Sequence, residues 1–264
     1  MRTARRLARR THRQETGLFL AEGPQAVREA LAEPGRTREV FALPGSHDDL
    51  AGAAAEQDVP WQLVDLHAMA SLCDTVTPQG VVAVCRHVDV PLAEVLGRQP
   101  RLVAVCVDVR DPGNAGTVVR CADAAGADAV VLAGDSVDVH NPKVVRASAG
   151  SLFHLPLAVH RDVGPLLDGL RGAGVQVLAA DGHGELDLDE AIDAGVLDAP
   201  TAWVFGNEAH GLDEATRGLA DRVVRIPIHG RAESLNLATA AAVCLYASAR
   251  SHRGAVPRAA TPEG

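Results

Sequence analysis

Leu102-Val103-Ala104-Val105-Cys106-Val107, running directly into Asp108-Val109-Arg110-Asp111-Pro112-Gly113-Asn114, decides the fold. An unbroken apolar run of this length fits a strand buried on both faces, as when helices cover a parallel sheet from either side. Asp111-Pro112-Gly113-Asn114 is a turn by its chemistry, and the helix after it is expected near 115–126, with Asn114 at or beside the N-cap. Working outward, further strands are expected near 128–133, 175–180, 202–205 and 223–226, and helices near 142–150, 163–172 and 234–250. Residues 100–252 therefore read as an α/β domain.

Upstream, Phe19-Leu20-Ala21-Glu22-Gly23 reads as a strand, and Gln25 to Ala32 carries apolar residues at helical spacing. Strands at 40–43, 61–64 and 81–85 and helices at 50–56 and 66–72 complete a small layered domain over 1–95. The stretch from Val90-Pro91 to Gln99-Pro100 reads as a linker, and Ser251 to Gly264 as a frayed end with its tail at 253–264.

Composition narrows the function. With 47% hydrophobic and 22% charged residues, the 264-residue chain is neither disordered nor collagen-like. Its longest apolar candidate, Leu237 to Ala249, falls short of the ~18 residues a membrane span needs. Five scattered cysteines without a C-x-x-C support neither a disulfide framework nor a zinc knuckle, and read as small core residues in a reducing compartment. No apolar segment of a signal peptide follows the arginine-rich start, so the cytoplasm is the expected location. The net charge of −9 hides a polarity: residues 1–41 carry +4 and residues 42–264 carry −13. Arg2, Arg5, Arg6, Arg9, Arg10 and Arg13 form a basic arm over 1–14 with no acid before Glu15. Such an arm can seek phosphates or serve only as a solvated tail; charge alone does not decide.

Neither G-x-G-x-x-G nor a P-loop occurs, which removes nicotinamide-dependent oxidation and P-loop nucleotide hydrolysis from consideration. H-E-x-x-H, EF-hand and G-x-S-x-G patterns are also missing, and no metal site is expected. Three segments that follow expected strands carry unexplained polar residues. Asp108 to Arg120 contains Asn114 and an arginine set among Val118, Val119, Cys121 and Ala122. Gly206-Asn207-Glu208-Ala209-His210-Gly211-Leu212 brackets an acid between glycines at a strand end. Glu233-Ser234-Leu235-Asn236-Leu237 offers Ser234 as an N-cap and places the poor helix former Asn236 two residues on.

In this order the three segments resemble the signature motifs of the SpoU (TrmH-like) family of the SPOUT superfamily. Asn141-Pro142-Lys143-Val144-Val145-Arg146-Ala147-Ser148-Ala149-Gly150 is similar to the same family, as are Phe19 to Gly23 and Thr77 to Ala83 to its substrate-binding module. The resemblance implies a ribosomal-protein-like α/β module followed by an α/β catalytic domain with a deep carboxyl-terminal trefoil knot. It further implies a homodimer that methylates RNA ribose 2′-hydroxyls with S-adenosylmethionine. Transferred to this sequence, Arg120, Asn114, Glu208, Ser234 and Asn236 take catalytic or ordering roles. Gly206, Asn207, Glu208, Ile226, Ile228, Leu235, Asn236 and Ala180 take the cofactor. Ribosomal RNA is the expected substrate, transfer RNA the alternative, and a non-catalytic RNA-binding or ribosome-assembly factor a further one. Arg28, Arg36 and Arg38 join the arm, and Arg120 joins it at the site, as the expected RNA-facing surface.

Overall fold

The structure is a computed structural model that describes residues 1–73, 75 and 77–254. The first of two sheets contains β1 (Leu18–Glu22), β2 (Thr37–Ala42), β3 (Trp61–Leu63) and β4 (Val81–Arg86), ordered β1-β4-β2-β3. Alternation along these strands splits the side chains between two layers. Leu18, Leu20, Phe41, Val82 and Val84 meet α1 (Arg2–Arg6) and α5 (Leu66–Ala70), while α2 (Arg10–Thr16) leads into β1. Phe19, Ala21, Val40 and Ala42 meet α3 (Pro24–Ala32) and α4 (Asp48–Glu56).

The second sheet is parallel at every pairing and ordered β7-β6-β5-β10-β8-β11-β9. Its strands are β5 (Leu102–Val107), β6 (Ala129–Ala133), β7 (Leu157–His160), β8 (Gln176–Ala180), β9 (Leu186–Asp187), β10 (Thr201–Phe205) and β11 (Arg222–Arg225). The opening run explains itself here: Leu102, Ala104 and Cys106 enter one core, Val103, Val105 and Val107 the other. The first core receives α7 (Pro112–Ala125), α8 (Pro142–Ala147), α10 (Leu188–Asp193) and α12 (Leu237–Gly254). The second receives α6 (Leu92–Gly97) and α9 (Val163–Gly172), and α11 (Glu214–Gly218) precedes β11. Buried Trp203 donates its indole N–H to Ser248 Oγ at 2.8 Å, tying α12 to β10.

Several expectations change. The stretch read as a linker holds α6, whose Val95 is buried against the second sheet. β7, β9, α10 and α11 were not expected; β9 is too short for periodicity to register. α12 starts at Leu237 rather than near 234 and runs to Gly254, inside the expected tail; residues 255–264 lie outside the described residues.

The arm is corrected as well. Ala4 and Leu7 are buried, so the first residues are folded helix rather than a loose extension. Arg13 is withdrawn from RNA: with 2% of its surface exposed, it donates to Asp138 Oδ2 at 2.6 and 2.9 Å and to the carbonyls of Leu7 and Ala8. Arg36 likewise braces Glu33 and the His87 carbonyl. Burial pushes the Asp138 carboxyl up, but the hydrogen bonds and charge of Arg13 outweigh it and hold it below the usual range. Glu22 with Arg146, and Glu29 with His154, add ion pairs between the two sheets' surroundings, and Phe19 stacks on Phe153. Arg13→Ala leaves a nearly buried carboxylate unpaired and is expected to cost about 3 kcal/mol of unfolding free energy. Urea titration at neutral pH checks this, and a loss below about 1 kcal/mol would refute it.

Candidate active site

Parallel β5 and β10 are in register, Phe205 opposite Cys106, so the loops that leave them emerge side by side at the carboxyl edge. Asp108, the first residue past β5, takes a left-handed φ of 53°, a conformation that short polar side chains tolerate. Its carbonyl accepts a hydrogen bond from Asn207 Nδ2 at 2.7 Å. Asn207 and Gly211 exchange backbone hydrogen bonds of 3.0 and 2.8 Å, closing a tight turn that projects Glu208. Gly206 permits this crossing, because a Cβ there would overlap the Gly211 carbonyl and the Leu212 amide.

Glu208 reaches back across the two loops. Its carboxylate accepts from the amides of Arg110 at 3.3 Å and Asp111 at 3.1 Å, and from Asn114 Nδ2 at 3.3 Å. Asn114 is not the cap of α7: Asp111 takes that position, accepting from the Asn114 amide at 2.7 Å, and Pro112 fills the first helical turn. The Asn114 side chain is therefore free to act elsewhere. Its Oδ1 accepts from Asn236 Nδ2 at 3.0 Å. Asn236 in turn caps α12, its Oδ1 accepting from the amides of Ala238 at 2.9 Å and Thr239 at 3.3 Å. Sequence position misassigned that cap to Ser234, which lies exposed in the preceding loop and joins none of these hydrogen bonds.

The other expected residues divide. Ala180 pairs in register with Phe205 and with Val224, so Ala180, Gly206 and Ile226 stand at the ends of three adjacent strands. Ile228 and Leu235 belong to the following loop and stay partly exposed. Arg120 is exposed on α7. It lies six residues past Asn114, about 9 Å along the helix and about 120° around it. Arg5, Arg6, Arg9, Arg10, Arg28 and Arg38 are exposed on the amino-terminal unit, and Arg2 lies in α1.

Two carboxylates escaped the sequence reading. Asp108 fixes the loop, and Asp181, just past β8, is largely buried and 3.6 Å from where a Gly211 Cβ would stand. Burial raises the Asp181 carboxyl, but hydrogen bonds from the His183 amide and ring and the charge of Arg217 hold it below its ordinary value. The signal was available in Asp181-Gly182-His183-Gly184, a polar turn after an apolar strand. Burial pushes the Cys106 thiol up to about 12, with the Glu208 charge adding to it, in keeping with a core residue. Among the described residues, one group of metal-capable side chains comes together, His87, Asp89 and His140, away from this edge. The two rings stack with centroids 3.8 Å apart, and His140 Nε2 accepts from the Val88 amide.

A conserved-family match fits this geometry. The SpoU rRNA Methylase family matches residues 101–246, and the MRM3-like substrate binding domain matches residues 1–83. The chain belongs to the SpoU rRNA methylase family. It is 34% identical over 242 residues to the 23S rRNA (guanosine(2553)-2′-O)-methyltransferase RlmP of Bacillus subtilis, covering 92% of each chain. The AdoMet-bound rRNA methyltransferase of Sinorhizobium meliloti superposes with a TM-score of 0.82 at 31% identity, covering 94% of this chain and 93% of that one. The SpoU methyltransferase AviRb of Streptomyces viridochromogenes, in complex with AdoMet, gives 0.81 at 30% identity over 96% and 97%.

The double duty of Asn236 is separable. Asn236→Asp keeps a good cap and should leave stability within about 0.5 kcal/mol, whereas Asn236→Ala should cost about 1 kcal/mol. Only the donor to Asn114 is lost in both, so both should lose activity; equal urea midpoints for the two variants would contradict the capping role.

Proposed function

We propose that the chain transfers a methyl group from S-adenosylmethionine to a ribose 2′-hydroxyl of ribosomal RNA, as a homodimer. The observation that carries this reading is the hydrogen-bonded run Glu208–Asn114–Asn236 at the carboxyl edge, beside Gly206. The cofactor fits the residues present. Glycine at 206 lets backbone approach closely, the ends of β8, β10 and β11 offer backbone donors and acceptors, and Ile228 and Leu235 offer apolar surface for a purine ring. Gly206, Ala180 and Ile226 would bind through backbone groups, with Asn207 and Glu208 alongside. When bound, S-adenosylmethionine supplies a sulfonium methyl already activated for in-line displacement.

The protein's task is then alignment and charge control. Asn114 and Asn236 fix the Glu208 carboxylate, and Ser234 is close enough in sequence to follow the loop toward the cofactor. Arg120 does not act as the base, since a guanidinium stays protonated. It binds the RNA phosphate and stabilises the developing alkoxide, while water or phosphate takes the proton. Arg120 stands about 9 Å along α7 and about 120° around it from Asn114, apart from the Glu208–Asn114–Asn236 run, and a second copy supplies it to that run. The dimer forms through the exposed faces of α7 and α12, where Val243 and Tyr246 are 39% and 53% exposed.

The carboxyl-terminal loops form a knot, an exception to the rule that chains do not thread. The unit over 1–95 engages RNA through its exposed arginines. Action on ribosomal RNA implies a cytoplasmic protein, and among the described residues no helix is long and apolar enough to cross a membrane.

Labelled methyl transfer to unmodified ribosomal and transfer RNA, followed by alkaline digestion, tests the reaction. Label in an alkali-resistant dinucleotide from ribosomal RNA is expected; label in mononucleotides would reassign the acceptor to a base, and no transfer would favour a non-catalytic role. Arg120→Lys should lower turnover by about 100-fold or more while cofactor affinity is retained. Light scattering should give a dimer, and Tyr246→Glu should shift it to monomer and abolish turnover; an active monomer would refute the shared site.

A further inference from the structure

One carboxylate at the strand edge has no task in the chemistry above. Asp181 is the first residue past β8, and only 8% of its side chain meets solvent. Its two oxygens are treated unequally. Oδ1 lies 2.9 Å from the His183 amide, 2.9 Å from His183 Nδ1 and 3.5 Å from Arg217 Nη1, all of them donors to it. Among the described residues no donor is directed at Oδ2. Those three partners keep the carboxyl ionised against the effect of burial. A charged acceptor that is mostly buried and half satisfied is costly unless a ligand completes it.

Oδ2 is not sealed in. The side-chain atoms that are both buried and unpartnered among the described residues are His12 Nε2, Thr37 Oγ1 and His87 Nε2. Oδ2 faces the tight turn that follows β10: a Cβ on Gly211 would stand 3.6 Å from it, and glycine, here at a φ of 66°, leaves that place bare. The same turn is the one that Gly206 allows to cross so closely.

Position along the edge tells which part of a ligand Oδ2 would meet. β8 lies between β10 and β11. On the β10 side stand Glu208 and Asn114, where the methyl is transferred; past β11 come Ile226 and Ile228, the apolar surface for the purine. S-adenosylmethionine carries its purine at one end, its sulfonium toward the other, and its ribose between them. Asp181 ends the middle strand. An ionised carboxylate is also a suitable acceptor for the hydroxyls of a ribose, the part acidic residues play in dinucleotide sites.

We propose that Asp181 is a cofactor-binding residue whose Oδ2 accepts hydrogen bonds from the ribose hydroxyls of S-adenosylmethionine. The proposal rests on the methyltransferase reading above, and adds a charged side chain to a pocket otherwise made of backbone groups and apolar surface. His183 and Arg217 hold Oδ1, and so aim Oδ2 at the turn.

Calorimetric titration of the full chain, without RNA, tests this. Asp181→Ala should weaken S-adenosylmethionine about 10- to 100-fold, as expected for hydrogen bonds to a charged group. 5′-Methylthioadenosine, which keeps the purine and ribose but lacks the amino-acid end, should weaken by the same factor. A loss confined to S-adenosylmethionine would assign the carboxylate to the ammonium group and overturn the ribose contact. His183→Ala takes a donor from Oδ1 and leaves Oδ2 in place, so its affinity should stay within about threefold of the unsubstituted protein. A loss as large as that of Asp181→Ala would make Asp181 a support of the turn and overturn direct contact. A further comparison needs no variant: the 2′,3′-dideoxy form of 5′-methylthioadenosine should bind the unsubstituted protein about 10- to 100-fold more weakly than the parent compound, and equal binding would overturn the proposal. S-adenosylmethionine bound equally well by the unsubstituted protein and Asp181→Ala would overturn the role of Asp181 alone. No binding of S-adenosylmethionine by the unsubstituted protein would overturn the function reading, and this role with it.

Discussion

Everything at the candidate active site depends on the parallel pairing of β5 with β10. Residues 108–114 and 206–212 are nearly a hundred positions apart, yet the register of Phe205 against Cys106 ends both strands at the same level. Neighbouring strands lie about 4.8 Å apart, close enough for the two loops to share hydrogen bonds directly. Asn207 to the Asp108 carbonyl, and Glu208 to the amides of Arg110 and Asp111, are those bonds. Without the in-register pair, Glu208 would be an ordinary surface acid.

A second constraint works on the first. Both faces of the sheet are covered, α7 and α12 on one side and α6 and α9 on the other, so the strands cannot shift without opening a core. Trp203 locks α12 against β10 through Ser248, and the start of that helix carries Asn236 to Asn114. The site is thus assembled from three helix or loop ends whose positions are set by packing several residues away. Glu208 and Asn236 are exposed, Asn114 is half-buried and the packing beneath them is buried, which leaves the polar groups open to ligands while holding them in place.

The junction of the two sheets follows a different logic. It combines apolar contacts, such as Phe19 with Phe153, with ion pairs placed across it. His154 shows the trade: burial disfavours its charge, but Asp123 at 2.7 Å and Glu29 at 3.1 Å raise its pKa above the ordinary value. Arg13, the most buried of these cations, is the clearest case in which a residue from a basic run serves structure instead of a ligand.

Much of this was legible from residues alone. Apolar runs at 102–107 and 202–205 specify buried parallel strands because the hydrophobic requirement is local to each run. Turn chemistry likewise singled out Asn114 and Glu208, and poor helix propensity Asn236, although a cap alone accounts equally well for the first and a turn for the second. Sequence could not say that Asp111, not Asn114, caps α7, or that Asn236, not Ser234, caps α12, because competing caps a few residues apart differ by only about 1 kcal/mol and packing chooses between them. Nor could it separate Arg13 from Arg10: both lie in one arginine run, and only the approach of Asp138, 125 positions away, buries one and leaves the other in solvent. Local patterns determine which elements form. Long-range pairing, worth little until the whole sheet is closed, decides which polar residues meet.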